Sequence, residues 1–200
     1  MSHLLLPVAA PAEGAAVSRI GGRPVAPAGT AWPKCGGCSG PMQFLAQIRF
    51  AETGLAGLPD RLLLVFMCQN DPGMCEDWSA DSGDNCALIV PPTGALLAPP
   101  PTGVTRLKAV DGVRFQPFPA GQDYPDALGT QDRVLGQAGD TPAWIQADET
   151  PSCTCGARMR FVLQLEDNGG GGINFGDAGA GYAFVCDKCQ DKAKFLWQCG

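Results

Sequence analysis

Residues 42–50, MQFLAQIRF, alternate along the chain: Met42, Phe44, Ala46, Ile48 and Phe50 fall on one side, and Gln43, Leu45, Gln47 and Arg49 on the other. A period of two sustained over this stretch predicts a half-buried β-strand. Residues 61–68, RLLLVFMC, are an unbroken apolar run and predict a strand buried on both faces. Near the other end, Met159, Phe161, Leu163 and Leu165 share one side, with Arg160, Val162 and Gln164 opposite. YAFVC at 182–186 predicts another strand, and residues 195–200 a last short one. Turns are expected at 51–60, with Gly54, Gly57 and Pro59, and at NDPGMC over 70–75. Residues 104–115 predict a short strand pair turned at Asp111-Gly112, since an Asp-Gly step favours a hairpin. The rest of 86–139 is rich in proline and glycine and is expected to be loop, with helix over 126–135 disfavoured by its poor period and Gly129.

The two alternating stretches are copies of one pattern. Each follows a close cysteine pair, Cys35/Cys38 and Cys153/Cys155. Counted from the second cysteine, Met, Phe and Gln recur at the same offsets: Met42, Phe44 and Gln47, then Met159, Phe161 and Gln164. A later apolar strand ends in a cysteine in each half, Cys68 and Cys186, with Cys75 and Cys189 behind them. The expected fold is therefore mainly β and internally duplicated, with two sheet units that each carry a zinc-ribbon-like four-cysteine site. The expected organisation is a flexible leader over 1–17, a first repeat over 18–90, a proline- and glycine-rich connection over 91–139, and a second repeat over 140–200, all in one compact domain.

The predicted metal ligands are Cys35, Cys38, Cys68 and Cys75 at one site, and Cys153, Cys155, Cys186 and Cys189 at the other. Four thiolates close a tetrahedral shell and suit structural zinc, so two ions are expected. Cys86 and Cys199 are left over, and the six-residue spacer from Cys68 to Cys75 leaves Cys86 as an alternative to Cys75. Gln47 and Gln164 are expected to satisfy loop backbone groups within their own repeats.

Composition narrows the function classes. The 200 residues carry 14 Lys and Arg against 20 Asp and Glu, a net charge of −6, without the concentrated basic patch of a nucleic-acid binder. The sole histidine, His3, lies near an end expected to be frayed, which argues against histidine-based acid–base chemistry. The start lacks a basic n-region and its apolar run is broken by Pro7, so a cytoplasmic location is expected, where ten cysteines serve as ligands or free thiols. The SRIGGRP turn at 18–24 lacks the Lys-Ser or Lys-Thr of a phosphate loop and is expected to be structural. The glycine-rich stretch over 167–181, including the run at 169–172, reads as a solvated loop.

These residues also carry a resemblance. SRIGGRP at 18–24, WP at 32–33 and PMQFLAQI at 41–48 resemble the opening of the bacterial YwqG-like family of unknown function. The inserted cysteines, with FLAQ at 44–47 and VFMC at 65–68, resemble the related eukaryotic programmed-cell-death-protein-2 family. That resemblance implies a chaperone-like role toward a ribosomal protein and brings no catalytic residues with it.

The function expected is a non-enzymatic, zinc-stabilised module for a protein or peptide, chaperone-like toward a basic client. An exposed sheet edge between the halves would capture an extended segment by strand addition. The alternative is a hydrolase or transferase using carboxylates such as Asp77, Asp81, Asp84 or Asp177.

Overall fold

The apolar run at 61–68 forms strand β5 (Leu62–Met67), buried at every position as expected. It runs antiparallel between β4 (Gln43–Arg49) and β6 (Asn85–Val90). The second copy repeats this with β11 (Ala180–Val185) between β10 (Arg160–Glu166) and β12 (Ala193–Gln198). The computed structural model describes residues 2–167 and 172–200, so most of the glycine run at 169–172 lies outside the described residues.

The remaining strands join the two units. They are β1 (His3–Val8), β2 (Arg19–Ile20), β8 (Asp111–Pro117) and β9 (Gly136–Ala138). All enter one ten-stranded antiparallel sheet in the order β12-β11-β10-β9-β1-β8-β2-β4-β5-β6. A two-stranded ribbon, β3 (Val25–Ala26) with β7 (Ala95–Leu96), lies apart from it. The two ends of the large sheet meet at a bridge between Leu88 and Lys192, and the Trp197 amide donates to the Trp78 carbonyl at 3.2 Å. The sheet is thus a nearly closed barrel, a form that leaves little free edge.

The strand order reads the same outward from its centre. On one side β8 is followed by β2, β4, β5 and β6; on the other β1 is followed by β9, β10, β11 and β12. Registers repeat as well: Arg19 faces Gln47 and Ile20 faces Ala46, as Gln137 faces Gln164 and Ala138 faces Leu163. In chain order, however, β1 precedes β2 and β8 precedes β9. Each repeat therefore gives its first strand to the other half, β1 pairing with β9 and β8 with β2.

Three expectations change here. The leader expected over 1–17 contains β1 at the middle of the sheet, because Leu4 and Leu6 pack under helix α1 (Tyr124–Leu128) while Leu5 enters the barrel interior. The connection over 91–139 holds β8, α1 and β9, and Asp111-Gly112 opens a strand instead of turning a hairpin. Gly112 suits that place: an added Cβ would stand 2.5 Å from the Ala9 carbonyl oxygen. The sheet edge expected between the halves is filled where they join at β1 and β8, which pair along their length.

The alternation of β4 and β10 also changes phase. The pairing shifts register between Phe44 and Ala46, and between Phe161 and Leu163. Such a bulge adds one residue and moves the rest of the strand to the opposite phase. Met42 and Phe44 consequently join an outer cluster with Phe66 and Cys68, while Leu45, Ala46 and Ile48 line the interior. Met159 and Phe161 likewise join Tyr182, Phe184 and Cys186 outside, and Val162, Leu163 and Leu165 point inward. Both strands are buried on two faces, and each outer face carries a cysteine cluster. Among the described residues, no helix is long and apolar enough to cross a membrane.

Candidate metal centres

The first cluster forms where the loop before β4 meets the end of β5. Cys35 to Cys38 is a tight loop: the Ser39 amide donates to the Cys35 carbonyl at 2.9 Å, and the Cys35 amide to the Gly40 carbonyl at 2.8 Å. Ser39 takes φ 61°, which turns the chain back toward β4. Cys68 leaves β5, and the loop after it returns Cys75 to the same point. The sulfurs of Cys35, Cys38, Cys68 and Cys75 all lie within 4.8 Å of one another.

The second cluster is its counterpart. The Cys153 amide donates to the Ala157 carbonyl at 2.8 Å, and the Gln190 amide to the Cys186 carbonyl at 2.8 Å. Gly156 (φ 81°) and Gln190 (φ 57°) follow their cysteines as Ser39 follows Cys38. Cys153, Cys155, Cys186 and Cys189 again lie within 4.8 Å of one another. The one-residue spacer of Cys153-Thr154-Cys155 is accommodated, since Gly156 completes the turn and its amide donates to the Cys153 carbonyl at 2.8 Å.

The sulfur spacing suits a metal. Tetrahedral zinc with bonds of about 2.3 Å sets its sulfurs about 3.8 Å apart. The Cys38–Cys68 and Cys155–Cys186 pairs stand at 3.6 Å, and Cys153–Cys189 at 3.9 Å. A disulfide would need about 2.05 Å, and all ten cysteines are free. The two clusters could each hold a metal ion.

Backbone donors are already turned toward the sulfurs. The Cys38 amide reaches the Cys35 sulfur at 3.4 Å, and the Cys189 amide reaches the Cys186 sulfur at 3.4 Å. The Asn70 side-chain amide stands 3.5 Å from the Cys38 sulfur and 3.4 Å from that of Cys68. These contacts favour thiolate over thiol. The Gly40 amide leads in lowering Cys38 to about 7, and the Cys155 amide in lowering Cys153 to about 6. Burial pushes Cys35 upward and Cys75 to about 11, and the neighbouring sulfurs, Cys155 first, raise Cys189 to about 12. Each cluster thus mixes thiols that ionise readily with thiols that resist it, and a cation among them would favour the ionised form of all four.

Asp84 braces the first cluster. Its Oδ1 accepts from the Gly37 amide at 2.7 Å and from the Cys35 thiol at 3.0 Å, and its Oδ2 accepts from the Glu76 amide at 2.9 Å. Burial pushes this carboxyl up, but the bonds from Cys35, Gly37, Glu76 and Gly36 outweigh it and hold it below its ordinary value. One side chain so ties the Cys35–Cys38 loop to the loop carrying Cys75. Neither Asp84 nor Asn70 was marked by spacing; each stands in a turn rich in polar residues, and only the fold brings it to the sulfurs.

The other named residues lie elsewhere. Cys86 sits on β6 opposite Phe66, its thiol raised to about 11 by burial, while Cys75 takes the fourth corner of the cluster. Cys199 lies against Gly176. Asp81 pairs with Lys194 across the halves, Asp77 is buried beside Trp197, and the Asp177 carbonyl receives the Gly200 amide. Of the four aspartates of the alternative reading, Asp84 and Asp81 have their carboxylates bonded, to the first cluster's loops and to Lys194. His3 belongs to β1, with its imidazole against Gly54.

An aromatic groove of about 480 Å³ opens beside the second cluster, lined by Phe118, Asp123, Tyr124 and Trp144 among others. Trp144 lies against Tyr182 (centroids 4.6 Å apart) and Phe184 (5.9 Å), and both rings share the outer cluster with Cys153 and Cys186. Tyr124 stacks on Phe118 at 6.1 Å and donates from its hydroxyl to Glu166 Oε1 at 2.6 Å.

A family described as a domain of unknown function (DUF1963) matches residues 18–90, the stretch from β2 to the end of β6 that includes the first cluster. No curated protein matches the chain.

Proposed function

We propose that both clusters are structural zinc sites and that the protein is a non-enzymatic module that binds a protein or peptide, chaperone-like toward a basic client such as a ribosomal protein. The sulfur spacing of 3.6–3.9 Å carries the zinc reading, because it fits four thiolates around one ion with no position left for water or substrate. The aromatic groove supports the binding reading. The half-buried rings of Phe118 and Trp144 present apolar and π surface to a peptide, and the exposed Asp123 in its lining suits lysine or arginine side chains. A net charge of −6 steers a basic segment toward the surface. The chaperone-like part of this reading rests on the resemblance of the sequence motifs at 18–24, 32–33, 41–48 and 65–68 to the YwqG-like and programmed-cell-death-protein-2 families. Free thiols throughout accord with the reducing cytoplasm.

Titration of the full chain with a fluorescent lysine- and arginine-rich peptide at low salt tests the binding role. Saturable binding, weakened at least tenfold by Trp144→Ala and by Phe118→Ala, is expected. Absence of binding, or binding indifferent to both substitutions, contradicts it.

A further inference from the structure

The first half has a groove at the place corresponding to the aromatic one. Gly22 and Arg23 follow β2 there as Asp140 and Thr141 follow β9, and Val110 stands before β8 as Ser2 stands before β1. The two have diverged in chemistry. The first is about 510 Å³ and is lined by Arg23, Arg106 and Lys108, with Glu13 as its one carboxylate. In a chain of net charge −6, this is a concentration of positive charge that the composition does not suggest.

Arg19 adds to it from beneath. An added Cβ on Gly22 would stand 3.9 Å from Arg19 Cδ and 3.5 Å from Val110 Cγ1, so the Arg19 stem packs against Gly22, which lines the groove. Arg19 is only 2% exposed; among the described residues its Nε has no hydrogen-bond partner and its one side-chain bond is a long 3.4 Å contact from Nη2 to Gln47 Oε1. Among the described residues it forms no ion pair; Glu13 attracts it through space but is paired with Arg23 at 3.0 Å. A buried guanidinium left this way is costly.

The fold does not require that cost. At the equivalent place on β9, Gln137 donates to Gln164 Oε1 at a shorter 2.9 Å with no charge to bury. A neutral amide therefore does the structural work in one half, and the guanidinium in the other is left to be explained by a ligand.

We infer that the groove between the Gly21–Pro24 turn and residues 103–110 binds a small oligoanion bearing phosphate or carboxylate groups, held by Arg23, Arg106 and Lys108 above Arg19. Arginine forks pair bidentately with either group, and Arg106 and Lys108 are exposed and take no part in the sheet's core. Glu13 opposes the ligand and competes for Arg23. The inference stands apart from the peptide-binding role, which uses the other groove.

Calorimetric titration of the full chain at low salt with pyrophosphate, and separately with citrate, tests it. One saturable site is expected for at least one probe, and the stronger of the two tells phosphate from carboxylate chemistry. Arg106→Gln combined with Lys108→Gln should weaken binding at least tenfold with the circular dichroism unchanged, and Glu13→Gln should tighten it severalfold. Arg19→Gln, which copies Gln137, should keep the fold and lose affinity. No saturable site for either probe, or affinity that the double substitution leaves unchanged, overturns the inference.

Discussion

Gln47 and Gln164 occupy the same place in the two halves and make the same bond: Gln47 Oε1 accepts from the Val25 amide at 2.8 Å, and Gln164 Oε1 from the Ala143 amide at 3.0 Å. Each fixes the chain that returns from the turn after the short strand. Gln47 Nε2 also donates to the carbonyls of Val17 at 2.8 Å and Ala15 at 3.3 Å. Both side chains are buried, and among the described residues the bonds of each stay within its own half.

Replacing Gln47 by alanine leaves the Val25 amide and the Val17 and Ala15 carbonyls without this partner. Replacing Gln164 leaves the Ala143 amide and the buried Gln137 side chain without theirs. Each replacement costs about 1–3 kcal/mol. Urea unfolding of Gln47→Ala and Gln164→Ala should show comparable losses in that range. A loss confined to one of them would contradict their equivalence.

The fourth corner of the first cluster separates Cys75 from Cys86. Cys75→Ser should lower bound zinc from two ions per chain to one, while Cys86→Ser should keep both, as read by elemental analysis of purified protein. Loss of an ion with Cys86→Ser would move the site.

Asp77 gives a pH dependence of stated sign. Burial is the leading cause that raises its carboxyl from 3.8 to about 6. The folded state thus holds its proton more tightly than the unfolded state. The stability this contributes is full below pH about 4 and falls as pH rises through about 6. Asp77→Asn cannot lose a proton. Between pH 5 and 7.5 wild type should therefore lose about 1 kcal/mol more than the variant, both melted at the same saturating zinc concentration. Paired urea melts across that range check this; a difference of opposite sign contradicts it.

The cysteine pairs, the two later strands and the duplication were legible because each depends on residues close together in sequence or on identical offsets. Cys38, Met42, Phe44 and Gln47 have their counterparts in Cys155, Met159, Phe161 and Gln164, and these occupy equivalent positions in the fold. The bulges at Leu45 and Val162 were hidden, since one extra residue changes the phase of a strand without changing its composition. The centre of the sheet was hidden for another reason. β1 is a short run containing Pro7, and its partners lie across the chain, His3 opposite Pro117 and Leu4 opposite Gln137. Nothing local announces a pairing of that length. Asp84 was legible only as a candidate catalytic carboxylate, and its bracing of the cysteines, like the role of Arg19, escaped because it depends on the groups it faces.

Zinc stoichiometry tests the central claim most directly. Native mass spectrometry of reduced, folded protein should show two zinc ions per chain, each lost with unfolding of its own loops on chelation. A folded, reduced chain that carries no metal and is indifferent to chelator would contradict the account.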